Sequence, residues 1–241
     1  MILNIPFRSP PERPEIADSE VHVFYASLDQ PPARLEQLAE QLSEDERARA
    51  SRFIYNHDKN RFVAGRGMLR EILGWLLQVK PDDLSFSYNS HGKPQLAAPL
   101  TGNILHFNLA HSGSLAVYAV SRKSEIGIDI ERIRPIYEAE EIAAQFFSKQ
   151  ECAQWRSFPA EQKAGAFFNC WTRKEAWLKA CGEGIGERLK QTEVFFAGDF
   201  FDSAQYLVRS LPLGLDYAAA VAIKSREARV NCWKWQRTIE G

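Results

Sequence analysis

Eight residues near the middle of the chain carry the most pointed chemistry: Ser124-Glu125-Ile126-Gly127-Ile128-Asp129-Ile130-Glu131. Successive side chains of a strand take opposite faces. Ile126, Ile128 and Ile130 then turn to one side, and Gly127, Asp129 and Glu131 to the other. Two carboxylates beside a residue that leaves room repel one another, and a hard divalent cation turns that repulsion into attraction. Mg²⁺ in particular is held by one or two carboxylates together with substrate phosphates. The plain alternative is a half-exposed strand with an acidic outer face. A further acid lies on a helical pattern, where Phe167, Phe168, Trp171 and Leu178 recur at three and four residues. Glu175 falls at the edge of that apolar stripe, and a carboxylate there needs a partner. Lys179, four residues on, offers an ordinary intrahelical salt bridge in the favourable Glu-to-Lys order. The functional alternative makes Glu175 a metal ligand or general base, with Lys179 on a phosphate.

Basic groups precede these acids. From Ser43 to Arg70 six arginines and one lysine face four acids. Arg49 and Arg52, then Arg61, Arg66 and Arg70, recur at about a helical turn, and arginine forks match phosphate oxygens. A solvated helix face would read the same way. Gly92-Lys93-Pro94 is a tight turn presenting a lysine. His111-Ser112-Gly113-Ser114 lies between two strand-like runs, where imidazole, hydroxyl and backbone N–H groups could receive a phosphate. It could equally be a hairpin connection.

The elements that must position these groups follow from pattern. Pro6, Pro10, Pro11 and Pro14 make the first twenty residues an extended arm. Strands are expected at 21–25, 84–88, 104–109 and 115–120, with a turn at 91–94. Helices are expected near 33–41, after the capping-box signature Ser43-x-x-Glu46, and from Lys59 to about Leu77. The second half echoes the first. Ser148-x-x-Glu151 repeats the signature 105 residues on, Phe158 repeats Phe53, a helix over 164–181 ends before Gly182, and strands are expected at 193–196 and 217–223. An internal duplication of about half the chain follows, and two related lobes leave a cleft between them.

Composition narrows the class. With 45% hydrophobic and 25% charged residues the chain is a globular protein rather than a disordered or fibrous one. A net charge of −1 attracts neither nucleic acid nor anionic membrane, so any basic site is local. No apolar run reaches the ~18 residues of a membrane span. The first residues show no basic region followed by an apolar stretch. Cys152, Cys170, Cys181 and Cys232 form no C-x-x-C pair. A cytoplasmic location is the expectation.

Taken together, Phe107-Asn108-Leu109-Ala110-His111-Ser112, Gly127-Ile128-Asp129-Ile130-Glu131 and Phe168-x-x-Trp171-Thr172-x-Lys174-Glu175-Ala176-x-x-Lys179 resemble the 4′-phosphopantetheinyl transferases of the Sfp type. With Gly92-Lys93-Pro94 and the arginine-rich helix upstream, the similarity spans roughly residues 20–223. It implies an α+β fold of two similar lobes in pseudo-twofold arrangement, each a small antiparallel sheet packed with helices. Residues 1–122 would form the nucleotide-contacting lobe and 123–241 the lobe with the metal carboxylates. It implies transfer of the phosphopantetheine arm of coenzyme A to a serine of an apo acyl or peptidyl carrier protein, releasing adenosine 3′,5′-bisphosphate. Asp129, Glu131 and Glu175 would hold Mg²⁺, and Glu175, or in second place Glu131, would take the serine proton. Lys179 would bind the pyrophosphate and stabilise the leaving group. His111 and Ser112 would contact the 3′-phosphate, with Lys93, Arg49 and Arg61 nearby. Glu46 departs from the pattern, standing where the family often carries a basic residue. The tail 225–241 lies beyond the match and reads as a strand or arm. Carrier docking is expected around 146–155, and a monomer suffices. A non-catalytic binder of coenzyme A or carrier, and a metal-dependent phosphohydrolase, are the competing readings; a nucleic-acid role ranks last.

Overall fold

Strand alternation and two long helices build the frame. The computed structural model describes residues 8–12, 15–89, 92–97, 105–182, 188–191, 193–194, 196, 199–201, 206–225 and 227–236. The first half contains β1 (Glu20–Ser27), α1 (Pro32–Glu40), α2 (Glu44–Ala50), α3 (Asn56–Leu77), β2 (Phe86–Tyr88), β3 (Pro94–Leu96), β4 (His106–Ser112) and β5 (Leu115–Ser121). The second contains β6 (Ile126–Arg132), α4 (Ala139–Phe146), α5 (Lys149–Ser157), α6 (Ala160–Cys181), α7 (Arg188–Gln191), β7 (Phe200–Phe201), β8 (Tyr206–Ser210), β9 (Tyr217–Lys224) and β10 (Arg229–Lys234). No described helix is long and apolar enough to cross a membrane.

The expected duplication appears as topology. One sheet runs β10-β1-β5-β4 and another β6-β9-β8-β7, so β1-β5-β4 and β6-β9-β8 correspond strand for strand. β5 pairs antiparallel with β1, and β9 antiparallel with β6. Each lobe then places a short capped helix before one of 22 residues. In α5 the cap is reciprocal: Glu151 N–H donates to Ser148 Oγ and Ser148 N–H to the Glu151 carboxylate. In α2 the Glu46 carboxylate accepts the Ser43 N–H at 3.1 Å.

Helices cover one face of each sheet, and the other faces pack on each other. Val21, Val23, Val117 and Ala119 of the first sheet meet Ile126, Ile128, Ile130, Val221 and Ile223 of the second in one apolar layer. Each fully buried isoleucine contributes about 1.5–3 kcal/mol. On the helix side of β9 stand Ala218, Ala220 and Ala222, and on that of β6 stand Gly127 and Asp129. β6 is therefore buried on both faces, and the half-exposed acidic strand is not what forms.

Several sequence expectations are corrected. β10 pairs in parallel with β1, so the tail completes the first lobe's sheet and the 122/123 division does not hold for it. The described residues of 193–196 are not strand. His91 of the expected turn and Ile104 of the expected strand lie outside the described residues. Phe147 and Trp155 are core, leaving Lys149, Gln150, Ala153 and Gln154 as the solvent face of the stretch expected to dock the carrier.

Candidate active site

The close crossing of α6 over β6 assembles the site. A β-carbon at Gly127 would lie 2.0 Å from the Ala176 carbonyl oxygen and 2.4 Å from the Ala180 nitrogen. The room that glycine leaves is thus filled by helix backbone, with Ala176 and Ala180 small enough to permit the contact. One turn apart on the same helix, Glu175 and Lys179 arrive beside Asp129. The expected intrahelical Glu175–Lys179 bridge does not form. Lys179 Nζ instead donates to Asp129 Oδ1 at 2.7 Å and to the Ile128 carbonyl at 3.3 Å, across the helix–strand interface.

That leaves the acids under-partnered. Asp129 is 6% exposed and Glu175 9% exposed, and Asp129 Oδ2 and Glu175 Oε1 are buried without a hydrogen-bond partner among the described residues. Burial pushes the Asp129 carboxyl up to about 6 against the pull of Lys179, and Glu131 adds to the rise. Glu175 is also raised, first by burial and then by the Asp129 carboxylate.

The duplication supplies an internal comparison. Glu71 is the sixteenth residue of α3, as Glu175 is of α6. Glu71, 2% exposed, is satisfied by Arg34 at 2.5 Å, Gln41 at 3.2 Å and the Trp235 indole N–H at 3.2 Å. The fold can therefore neutralise an acid at this helix position, and at Glu175 it does not. The strand shows the same contrast, since Phe24 of β1 stands 105 residues before Asp129 and fills the first lobe's helix-side core.

A cleft of about 520 Å³ adjoins the acids, lined among others by Arg49, Arg61, Lys93, His111, Glu175 and Lys179. Lys93 sits on the turn where Gly92 has φ +77°, the left-handed region that favours glycine. Its Nζ donates to the Ile126 carbonyl at 2.9 Å and to the Lys179 carbonyl at 2.6 Å, in the last turn of α6, where a cation is favoured. Lys93 thus ties the lobes together as well as facing the cleft. Desolvation, then Lys179, pushes the His111 imidazole down, favouring its neutral form. The Arg49 guanidinium lies 5.3 Å from the Phe62 ring centre. Arg61 forks onto Asp29, an exposed pair of the kind that contributes little and exchanges readily.

Ser112 has two partners from the second lobe. Its hydroxyl donates to Glu131 Oε2 at 2.9 Å and accepts the Arg132 N–H at 3.0 Å, so it is turned to the carboxylate rather than to the cleft. Arg66, which also lines the cleft, and Arg70 are both held by an acid. Glu46 takes Arg66 Nε at 2.8 Å and Arg70 Nε at 2.6 Å, and Arg70 also donates to the Pro81 and Leu84 carbonyls. The acid that departs from the family pattern thus caps α2 and pins it to α3. Glu151 does the same in the second lobe with Lys174 at 2.8 Å. Asn108, not singled out as a site residue, lines the cleft and accepts the Ile128 N–H beside Asp129. Its place within the Phe-Asn-Leu-Ala-His-Ser run is the only signal that sequence offered.

Among the described residues no three acidic, histidine or cysteine side chains already converge as a ligand cage. The donor set nevertheless fits a hard divalent cation, because two buried carboxylate oxygens lack any partner and a third acid, Glu131, is two residues from Asp129 on the same strand face.

Comparison with known proteins shows the family. Residues 125–222 match the 4′-phosphopantetheinyl transferase superfamily, and residues 30–123 match the family described as 4′-phosphopantetheinyl transferase, N-terminal. The chain is 46% identical over 185 residues to the 4′-phosphopantetheinyl transferase HetI of Nostoc sp., covering 77% of each chain. It is 38% identical over 160 residues to the 4′-phosphopantetheinyl transferase psf-1 of Bacillus pumilus, covering 66% of each. It is 30% identical over 172 residues to the L-aminoadipate-semialdehyde dehydrogenase-phosphopantetheinyl transferase of Mus musculus, covering 67% of this chain and 56% of the other. Matched in both lobes, the chain belongs to the 4′-phosphopantetheinyl transferase family of enzymes.

Proposed function

We propose that this enzyme transfers the 4′-phosphopantetheine group of coenzyme A to a serine of an apo acyl or peptidyl carrier protein, with Mg²⁺ as its metal, and releases adenosine 3′,5′-bisphosphate. The observation that carries the reading is the pair of buried, unpartnered oxygens of Asp129 and Glu175 beside Lys179, next to a cleft rich in cationic groups. An acid cluster of that kind raises the free energy of the resting protein unless a cation completes it.

Asp129, Glu131 and Glu175 would hold Mg²⁺, which when bound neutralises pyrophosphate charge. The carrier serine oxygen forms a bond to the phosphorus that bears pantetheine, and the bond from that phosphorus to the bridging pyrophosphate oxygen breaks. Glu175 takes the serine proton, directly or through water, as general base. Glu131 is the second choice for this role. Lys179 balances charge on the departing bisphosphate, while His111, Lys93, Arg49 and Arg61 line the cleft that receives the nucleotide. The fused lobes already form this cleft, so a monomer acting in the cytoplasm is the form we assign.

Intact-mass spectrometry of apo carrier proteins incubated with the enzyme, coenzyme A and Mg²⁺ tests the proposal. The expected result is a gain of one phosphopantetheine that EDTA abolishes. A gain unaffected by EDTA removes the metal. Release of the bisphosphate at equal rates with and without carrier makes the enzyme a hydrolase.

A further inference from the structure

The lobes meet at the acid-bearing strand through side chains rather than through a backbone ladder. Asn108 Oδ1 accepts the Ile128 N–H at 2.8 Å, and Ser112 Oγ accepts the Arg132 N–H at 3.0 Å. Both pairs are separated by 20 residues, so β4 and β6 run side by side in parallel register. In the first lobe the matching edge, that of β1, is covered by the parallel main-chain ladder of β10. The second lobe instead leaves β6 to be gripped by two side chains from the other lobe, four residues apart on each strand.

Ser112 has a second bond. Its oxygen is held by the Arg132 N–H while its proton points at Glu131 Oε2, 2.9 Å away. A hydroxyl has one proton, so the contact to the backbone fixes the rotor and directs that proton to the carboxylate. The serine is buried and Glu131 half-buried, so the bond lies at the edge of the interface between the lobes. A hydrogen bond to one carboxylate oxygen restricts the torsions that aim the other, and such supporting contacts typically govern metal affinity by ~10–100-fold.

We propose that Ser112 is a positioning residue which orients Glu131 toward the divalent cation, so that the first lobe tunes a metal site whose ligands all belong to the second. This rests on the reading of Asp129, Glu131 and Glu175 as metal ligands.

The test is Mn²⁺ binding to the purified full chain, followed by the electron paramagnetic resonance signal of the free ion. Glu131→Gln is expected to weaken binding, which checks the underlying reading. Ser112→Ala is expected to weaken it by ~10–100-fold, Ser112→Thr to restore it, and Ser112→Ala/Glu131→Gln to be no weaker than Glu131→Gln alone, because the serine acts through that glutamate. Should the alanine variant fold poorly, Ser112→Thr against Ser112→Val poses the same question at constant shape. Wild-type affinity in Ser112→Ala, or in Ser112→Val, alongside a weakened Glu131→Gln overturns the positioning role and leaves the metal reading intact. Losses that add in the double variant also overturn it. Wild-type affinity in Glu131→Gln removes that acid from the metal set, and this proposal falls with it.

Discussion

Asp129→Asn should make the metal-free protein more stable above pH 6 while ending catalysis. In the folded state burial lifts the Asp129 carboxyl from 3.8 to about 6, even with Lys179 bound to it. A folded-state pKa above the unfolded one means that the native protein binds the proton more tightly, so stability falls as pH rises from about 4 to about 6 and the loss is complete above that. About two pKa units at 1.36 kcal/mol each set the cost of the ionised form near 3 kcal/mol. Asparagine keeps the shape and still offers Lys179 an acceptor, but it never ionises. The stability difference between variant and wild type should thus be about 1 kcal/mol at pH 4.5 and grow to about 3 kcal/mol by pH 7.5. Urea unfolding followed by tryptophan fluorescence, in EDTA at both pH values, reads it. Adding Mg²⁺ should then stabilise the wild type and leave the variant unmoved. A difference independent of pH, or a variant less stable than wild type at pH 7.5, would refute the claim that a desolvated charge stands at this position.

Gly127→Ala should lower stability by about 1–3 kcal/mol or more, seen as a lower melting temperature, because its methyl group meets the α6 backbone rather than a yielding side chain. Glu71→Gln and Glu175→Gln should diverge although they occupy equivalent helix positions. The first breaks the Arg34 pair and lowers the melting temperature with turnover little changed. The second leaves stability equal or raised and cuts turnover by ~10²–10⁴-fold relative to coenzyme A binding; steady-state kinetics and calorimetry on both variants check this. His22 is buried and accepts the Trp233 indole N–H on Nδ1, and burial holds its pKa below the ordinary value. Its contribution to stability is therefore present above about pH 6.5 and lost as pH falls through the folded-state value. In unfolding titrations of the Asp129→Asn variant, from which one of the two opposite-signed carboxylates is removed and Glu175 remains, adding His22→Asn should remove the His22 share and so lessen any loss of stability on acidification below about pH 6.5.

Local features were legible along the chain because each is decided by a few neighbouring residues. Ser43 with Glu46 and Ser148 with Glu151 mark two helix starts, and both form. Isoleucine alternation in β6 assigns the core face correctly. The order of the motifs identifies the family, and with it the two-lobed architecture. Boundaries drifted where pattern is silent: α6 begins four residues before the expected start, and Pro94–Leu96 pairs with Phe86–Tyr88 without any periodicity to announce it.

Tertiary structure decided which partner each polar group takes. Lys179 could reach Glu175 within its own helix, yet the crossing at Gly127 brings Asp129 to it instead. Ser112 was a free hydroxyl in a turn-like run until β4 met the edge of β6 and Glu131 came within reach. Arg66 and Arg70 share one acid because α2 lays Glu46 between them. β10 crosses back to β1 over more than 200 residues of chain. Propensity, capping and alternation act over a handful of residues, so sequence alone determined the elements and the family to which they belong. The register between elements 20 to 200 residues apart depends on how whole faces pack, and that packing alone determined which acids keep a partner and which two carboxylate oxygens, among the described residues, are buried without one.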